Sequence, residues 1–306
     1  MDAPTIAERL GDRHGPTFSF EYFPPQDAAG AFTLLDTVAN LRELRPDWVS
    51  VTYGATGATR QRTFDAVRAI MRHGGVATMG HLTITGQSRA EVEAALDSYA
   101  ELGVHHILAI RGDMPGGPDV PFEPHPEGLR NATELVRLIR ARGDFTVGVA
   151  AFADGHPAQF DLDLDARILL DKQEAGAAFA ITQMVFRPES YFALIDRFRA
   201  LGGTMPIVAG IMPVTNPGQI ERFRGMAGDV MPDELVDALL AVADDRPRFR
   251  EMGLEWVTRL CDTLLAGGAP GLQFFTLNRS TATSEILARL RRIPPHRVSP
   301  AAASGV

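Results

Sequence analysis

The chain has 306 residues, 45% of them hydrophobic, with 30 Lys and Arg against 38 Asp and Glu and a single cysteine. That length buries a sizeable core, as one large α/β barrel or two smaller domains. The net charge of −8 argues against nucleic-acid binding, and with no apolar run of membrane-span or signal-peptide length we expect a soluble, cytoplasmic protein free of membrane contacts. Apolar runs rich in Val, Ile, Phe and Thr then recur, each followed by a polar or Gly/Pro loop and a segment of helical periodicity. They are TFSFEYF (17–23), WVSVTYG (48–54), ATMGHLTI (77–84), HHILAIRG (105–112), FTVGVAAF (145–152), FAITQMVF (179–186), PIVAGIMP (206–213) and GLQFFTLN (271–278).

Between them lie amphipathic stretches such as Ser88–Leu102, Leu129–Arg142 and Tyr191–Leu201. Several end at a glycine (Gly103, Gly143, Gly176), the residue that supplies a left-handed turn at a helix end. Near-continuous apolar strands alternating with helices predict a parallel sheet covered by helices, and eight such units predict a single (β/α)8 TIM barrel over residues 1–293. A doubly wound sheet is the alternative, but its dinucleotide form shows G-x-G-x-x-G after the first strand, where EYFPPQD has no glycine. The long gap Val214–Pro270, between strands seven and eight, has room for extra helices at Pro217–Arg224, Pro232–Ala243 and Phe249–Leu265, an insertion expected over the active face. Cys261, in the helix-periodic LEWVTRLCDTLL, reads as a small core residue. From Pro294 the Pro/Ala/Ser-rich segment 294–306 predicts a flexible tail.

Both faces of a barrel strand are buried, so a charged residue inside a strand is costly unless paired or used. Glu21 lies among Phe18, Phe20, Tyr22 and Phe23, where desolvation raises a carboxyl's pKa and suits it to general acid work; the alternative is a buried ion pair with Arg or Lys. Other polar residues gather at strand ends: Thr52 and Tyr53, His81 and Thr83, Arg111 and Asp113, His156, Gln183, then Asn278 and Arg279. In a barrel the C-terminal strand ends form the active face, so this convergence reads as a site. HExxH, paired metal-spaced cysteines, GxxxxGK[ST] and GxSxG do not occur, so no metal site is expected. His105 and His106 are strand neighbours facing opposite ways and cannot share a metal. A buried acid and polar amides without a nucleophile imply a cofactor.

The strings FSFEYFPP, VSVTYGA, GHLT, LAIRGD, the HP at 156–157, AITQMVF, GIMPVTN and FFTLNRSTAT, in this order over roughly residues 17–290, resemble bacterial 5,10-methylenetetrahydrofolate reductases. The resemblance implies a flavoprotein barrel that passes reducing equivalents from NADH or NADPH through FAD to methylenetetrahydrofolate, giving 5-methyltetrahydrofolate for methionine synthesis. Glu21 matches the family's general acid, and Asp113 the carboxylate near flavin and pterin. Thr52, Tyr53, Ala55, His81, Arg111, Gly112, Asp113, Ala132, Phe152, His156, Asp165 and Lys172 match FAD-holding positions. Gln183, Gln219, Phe223 and Arg279 match contacts to folate or nicotinamide. The chain departs from the pattern at Phe152, where Tyr is frequent, at Ile168 and Asp171 near Lys172, and at Gln273, where His is frequent.

Alternatives stay in view: a flavin-free reductase of the same substrate, a non-catalytic folate-binding subunit, in which the acid would be lost, and a different barrel flavoenzyme. The choice between NADH and NADPH and the oligomeric state, a homo-oligomer included, stay open.

Overall fold

The computed structural model describes residues 4–12, 15–54, 57–117, 120–157, 159–227 and 230–291. Eight parallel strands close into a barrel in sequence order: β1 (Thr17–Tyr22), β2 (Trp48–Val51), β3 (Ala77–Thr83), β4 (His106–Ile110), β5 (Thr146–Ala151), β6 (Phe179–Met184), β7 (Ile207–Ile211) and β8 (Gly271–Phe275). Closure is through β1 and β8, in register from Thr17 opposite Gly271 to Glu21 opposite Phe275. Closure leaves no sheet edge to pair with another chain.

Each strand is shorter than its apolar run at the C-terminal end. Thr52–Gly54, Arg111–Gly112, Phe152, Val185–Phe186 and Thr276–Asn278 have left the sheet and become loop. They read as strand because they are apolar or β-branched and follow a strand; they leave the ladder because the chain must turn there to enter the next helix.

Before the barrel comes α1 (Ile6–Gly11), a short helix without a counterpart in the sequence reading, capped by Thr5 and Glu8 in a reciprocal box. The outer wall consists of α2 (Ala28–Arg42), α3 (Gly57–Gly74), α4 (Arg89–Glu101), α5 (Ala132–Arg142), α6 (Leu162–Glu174) and α7 (Pro188–Ala200). The β7–β8 interval holds α8 (Gly218–Ala227), α9 (Asp233–Leu240) and α10 (Arg246–Ala266), as the spacing predicts, and α11 (Thr281–Leu290) follows β8. Gly253 lets α10 lie directly on the chain leaving β7, since a Cβ there would sit 2.1 Å from the Val214 carbonyl oxygen. Cys261 is fully buried in that helix, as expected of a core residue. No described helix is long and apolar enough to cross a membrane. The tail 294–306 lies outside the described residues.

Two apolar clusters divide the interior. The larger lies between sheet and helices, while the smaller joins Ile6 and Leu10 of α1 to Trp48, Met79, Leu108, Phe179, Ile181 and Val208 inside the barrel. Helix α1 is thus a stopper for the N-terminal mouth. It is seated by the Ile6 N–H donating to Nε2 of His106 at 3.2 Å. Burial and nearby positive charge push the His106 pKa down to about 4, which keeps that nitrogen an acceptor at neutral pH. His105, next to it, faces out and is exposed. Ile6→Ala should cost about 2–5 kcal/mol of stability, as for other truncated core aliphatics, read from urea-denaturation midpoints; a loss below 0.5 kcal/mol would mean that α1 does not plug the barrel.

Candidate active site

The opposite mouth holds a cavity of about 420 Å³ lined by strand ends and the loops after them. Among its buried polar groups is Glu21, 6% exposed. Alternation along β1, β2 and β8 brings Ser19, Ser50 and Gln273 to the same interior patch. The Gln273 carboxamide is fully buried; its Nε2 donates to Oε2 of Glu21 at 3.2 Å and to Oγ of Ser50 at 3.3 Å, and its Oε1 accepts from the Ser19 hydroxyl at 3.2 Å. Nε2 of His81 stands 3.5 Å from the same Glu21 oxygen.

No Lys or Arg pairs with Glu21 among the described residues, so the structural alternative of a buried ion pair is not realised. Burial pushes the Glu21 pKa up to about 8, against the opposing pull of the Gln273 and Ser50 hydrogen bonds, and it pushes His81 down to about 3. At neutral pH the two meet as a neutral acid and a neutral imidazole.

One wall of the cavity is cationic. Lys172 is buried on α6, its Nζ donating to the Ala150 carbonyl at 2.9 Å. Burial lowers its pKa to about 8, Arg111 adds to the shift and Asp165 opposes it. Asp165 is occupied, accepting from the His156 N–H at 2.7 Å and from the Gln159 amide at 2.9 Å, and so orders the loop after β5. Phe152 packs edge-on against His156 with centroids 4.6 Å apart. Burial, helped by Arg111, holds His156 below its ordinary pKa. Arg111 lies over the Phe122 ring at 5.0 Å. Gly112 follows at φ +83, and a Cβ there would meet Thr85 Oγ1 at 2.8 Å and Thr83 Cβ at 2.9 Å, so the turn admits only glycine.

Of the residues singled out in the sequence, Glu21, Thr52, His81, Arg111, Gly112 and Asp113 line the cavity, as do Ala132, Phe152, His156, Asp165, Lys172 and Gln183. Asp113 is exposed there. Gln183 is turned in at an irregularity in the β6–β7 register, its Oε1 accepting from the Met184 N–H at 3.0 Å. Ile168 lines the wall, whereas Asp171 is exposed and does not.

Four are not brought in. Tyr53 turns its hydroxyl to Gln87 at 3.2 Å and its ring to Phe64. Gln219 accepts from the Thr215 and Asn216 N–H groups and donates to the Pro213 carbonyl, a local cap for the start of α8. Phe223 is buried, with its ring 6.2 Å from that of Phe186. Arg279 is exposed beyond the mouth. Ala55 lies outside the described residues.

Ser50 and Gln273 as partners of Glu21, and Ser19 as partner of Gln273, escape a reading motif by motif; period-two alternation from Glu21 is the signal that finds them. Among the described residues no group of three or more His, Cys, Asp or Glu could hold a metal. A larger cleft of about 620 Å³, between the starts of α7 and α9 and the flank of α10, contains none of the expected site residues.

Because the folded-state pKa of Glu21 exceeds its ordinary 4.5, the folded chain holds a proton that the unfolded chain releases. This contribution is complete below pH 4.5 and is lost as pH rises towards 8. Glu21→Gln should therefore gain stability over the parent between these limits, by on the order of a few kcal/mol at the upper end. Urea midpoints across this pH range check it, and parallel curves would show that Glu21 titrates normally.

The model of the methylenetetrahydrofolate reductase family matches residues 6–291. The chain is 35% identical over 277 residues to methylenetetrahydrofolate reductase 1 of Schizosaccharomyces pombe, covering 90% of this chain and 46% of that one. It is 33% identical over 262 residues to 5,10-methylenetetrahydrofolate reductase of Escherichia coli, covering 86% of each. A relative from Zea mays, methylenetetrahydrofolate reductase (NADH) 1, is 32% identical, covering 96% of this chain and 51% of its own length. The chain thus spans about half the length of the yeast and maize relatives. Among solved structures, a Clostridium thermocellum protein that binds two copies of 5-methyl-5,6,7,8-tetrahydrofolic acid superposes with a TM-score of 0.64 at 13% identity, covering 94% of this chain and 99% of the other. At that identity the likeness is one of fold.

Proposed function

The chain belongs to the methylenetetrahydrofolate reductase family, and from that premise we propose that it reduces 5,10-methylenetetrahydrofolate to 5-methyltetrahydrofolate with NADH and bound FAD. The observation that carries the reading is Glu21, a buried carboxyl that lines the cavity with an amide and an imidazole beside it and no Lys or Arg partner among the described residues, so that burial raises its pKa to about 8. The five-membered ring of the substrate opens to a hydride-accepting iminium when one of its nitrogens takes a proton. A carboxyl with a pKa near 8 still holds that proton at neutral pH, where an ordinary carboxyl has lost it.

The cavity wall fits FAD. A buried ammonium whose one hydrogen-bond partner among the described residues is a main-chain carbonyl, with Arg111 beside it and Asp165 nearby, is costly unless a further anion joins it. Lys172, Arg111 and His156 would hold a pyrophosphate, and apolar Ile168, Leu169 and Ala132 would flank the remainder. When bound, the flavin supplies a two-electron carrier between nicotinamide and folate. The exposed carboxylate of Asp113 provides negative charge at the mouth, where it would orient the pterin. Gln183 offers an amide to either substrate. Gln219 and Phe223 reach a ligand only if α8 moves from its packing on Phe186. NADH is the reductant in the name of the maize relative, and we assign it here. The reading goes with a cytoplasmic enzyme supplying methyl groups for methionine synthesis.

Glu21→Gln should lower NADH oxidation by methylenetetrahydrofolate at least about 100-fold, while oxidation of NADH by an artificial quinone stays within about twofold. In the parent the folate-dependent rate should fall as pH rises through about 8, where Glu21 deprotonates. Equal loss of both activities in the variant would refute the assigned role. A purified protein that is colourless yet oxidises NADH only with folate present would refute the FAD assignment.

A further inference from the structure

We propose that the turn after β8 is a positioning device for the acid, in which Thr276 and Asn278 fix the end of β1 so that Glu21 faces the cavity. The proposal rests on the reading of Glu21 as proton donor. The main-chain ladder between β1 and β8 ends at Glu21 opposite Phe275. Beyond that point side chains continue it. The Thr276 hydroxyl donates to the Glu21 carbonyl at 2.6 Å, alongside the Thr276 N–H at 3.4 Å. Oδ1 of Asn278 accepts from the Phe23 N–H at 2.9 Å, and its Nδ2 donates to the Phe23 carbonyl at 2.8 Å. The carboxamide thus stands in for a neighbouring strand, pairing with both backbone groups of Phe23. The turn is itself anchored: the Asn278 N–H donates to Thr276 Oγ1 at 3.2 Å, and the Asn278 carbonyl accepts from the Thr37 hydroxyl of α2 at 2.8 Å.

The backbone there is strained. Leu277 and Asn278 have φ of +51 and +55, a left-handed pair at non-glycine residues. Such conformations persist where the surroundings over-determine them, and they gather at functional sites. Barrel closure does not require this arrangement, because the main-chain pairing from Thr17 to Phe20 already supplies it. The clip acts instead on Glu21 itself and on Phe23, which also lines the cavity. A small displacement of the reacting group is enough to lose catalysis.

The test uses Asn278→Gly, which accepts the left-handed turn but removes the carboxamide, with Thr276→Val and its conservative counterpart Thr276→Ser. Each is measured for thermal midpoint, for NADH oxidation with methylenetetrahydrofolate and with an artificial quinone, and for infrared titration of the Glu21 carboxyl, assigned with Glu21→Gln. Besides Glu21, the side chains in contact are Ser50, His81 and Gln273; only His81 among them titrates, and it does so near 3. Lys172, which lines the same cavity, is also brought to about 8, but an ammonium has no carbonyl stretch, so the carboxyl band that titrates near pH 8 belongs to Glu21. In Asn278→Gly and Thr276→Val the folate-dependent kcat should fall about tenfold or more, with quinone reduction unchanged. The Glu21 midpoint should move down towards the ordinary carboxyl range, and Thr276→Ser should restore both values. An unmoved midpoint in folded Thr276→Val and Asn278→Gly overturns the proposal, as does parallel loss of both activities. If the parent protein fails to reduce folate, the functional reading falls, and the infrared midpoint still decides whether the turn positions Glu21.

Discussion

A carboxyl without a counter-charge in the interior of a closed barrel is the constraint around which the rest is arranged. Desolvation makes the ionised form of Glu21 expensive, and the surrounding groups offer two hydroxyls, an amide and a neutral imidazole rather than a cation. An Arg or Lys in the same position would have produced a stable ion pair and an inert carboxylate. The chain keeps its cations elsewhere, on the α6 wall and at Arg111, where they face the cavity. Separation of acid from cation places a buried carboxyl and a cationic wall in one cavity.

The barrel sustains this because its two ends differ. At the N-terminal mouth α1 and the Trp48, Met79, Leu108 and Phe179 layer exclude water, so the polar patch above them is solvated from one side only. At the other mouth the strands break off early, and the residues released from the ladder supply the cavity lining. Backbone groups freed there need partners. Asn278 satisfies both backbone groups of Phe23, and the Thr85 hydroxyl adds a bond at 2.8 Å to the carbonyl of Arg111, which also accepts from the Ile84 and Thr85 N–H groups. Side chains that look merely polar in the sequence therefore serve as extensions of the sheet.

The fold is largely legible in the sequence because each strand is an uninterrupted apolar run and each helix has a clear period. What escapes is instructive. Helix α1 spans only Ile6–Gly11, too short for a periodic signal, and its role depends on a mouth that exists only after closure. The strand runs extend too far at their C-terminal ends because Thr52, Phe152 and Val185 have strand-like side chains, while the geometry of the turn decides. The cavity residues are legible through motif order; Gln219, Phe223 and Tyr53 carry the same motif signal, yet their side chains are satisfied by Pro213, Phe186 and Gln87. A motif specifies a residue type at a place in the fold, not the direction of its side chain.

The departures from the family pattern follow the same logic. On α6 the cavity is lined by Asp165, Ile168, Leu169 and Lys172, spaced i, i+3, i+4 and i+7, which is one face of a helix. Asp171 falls off that face and is exposed, so its charge does not oppose an anion beside Lys172. Ile168 remains on the face and replaces polarity with apolar surface, which suits a flat ring system better than a phosphate. Gln273 matters most. An amide can donate to Glu21 while accepting from Ser19 and can do neither job by titrating. Where a histidine would share its proton with the acid and couple the two ionisations, the amide leaves Glu21 to titrate alone, apart from a His81 whose own pKa lies near 3. The acid's proton affinity is then a property of its burial, and everything that maintains that burial, from the α1 plug to the turn after β8, contributes to it.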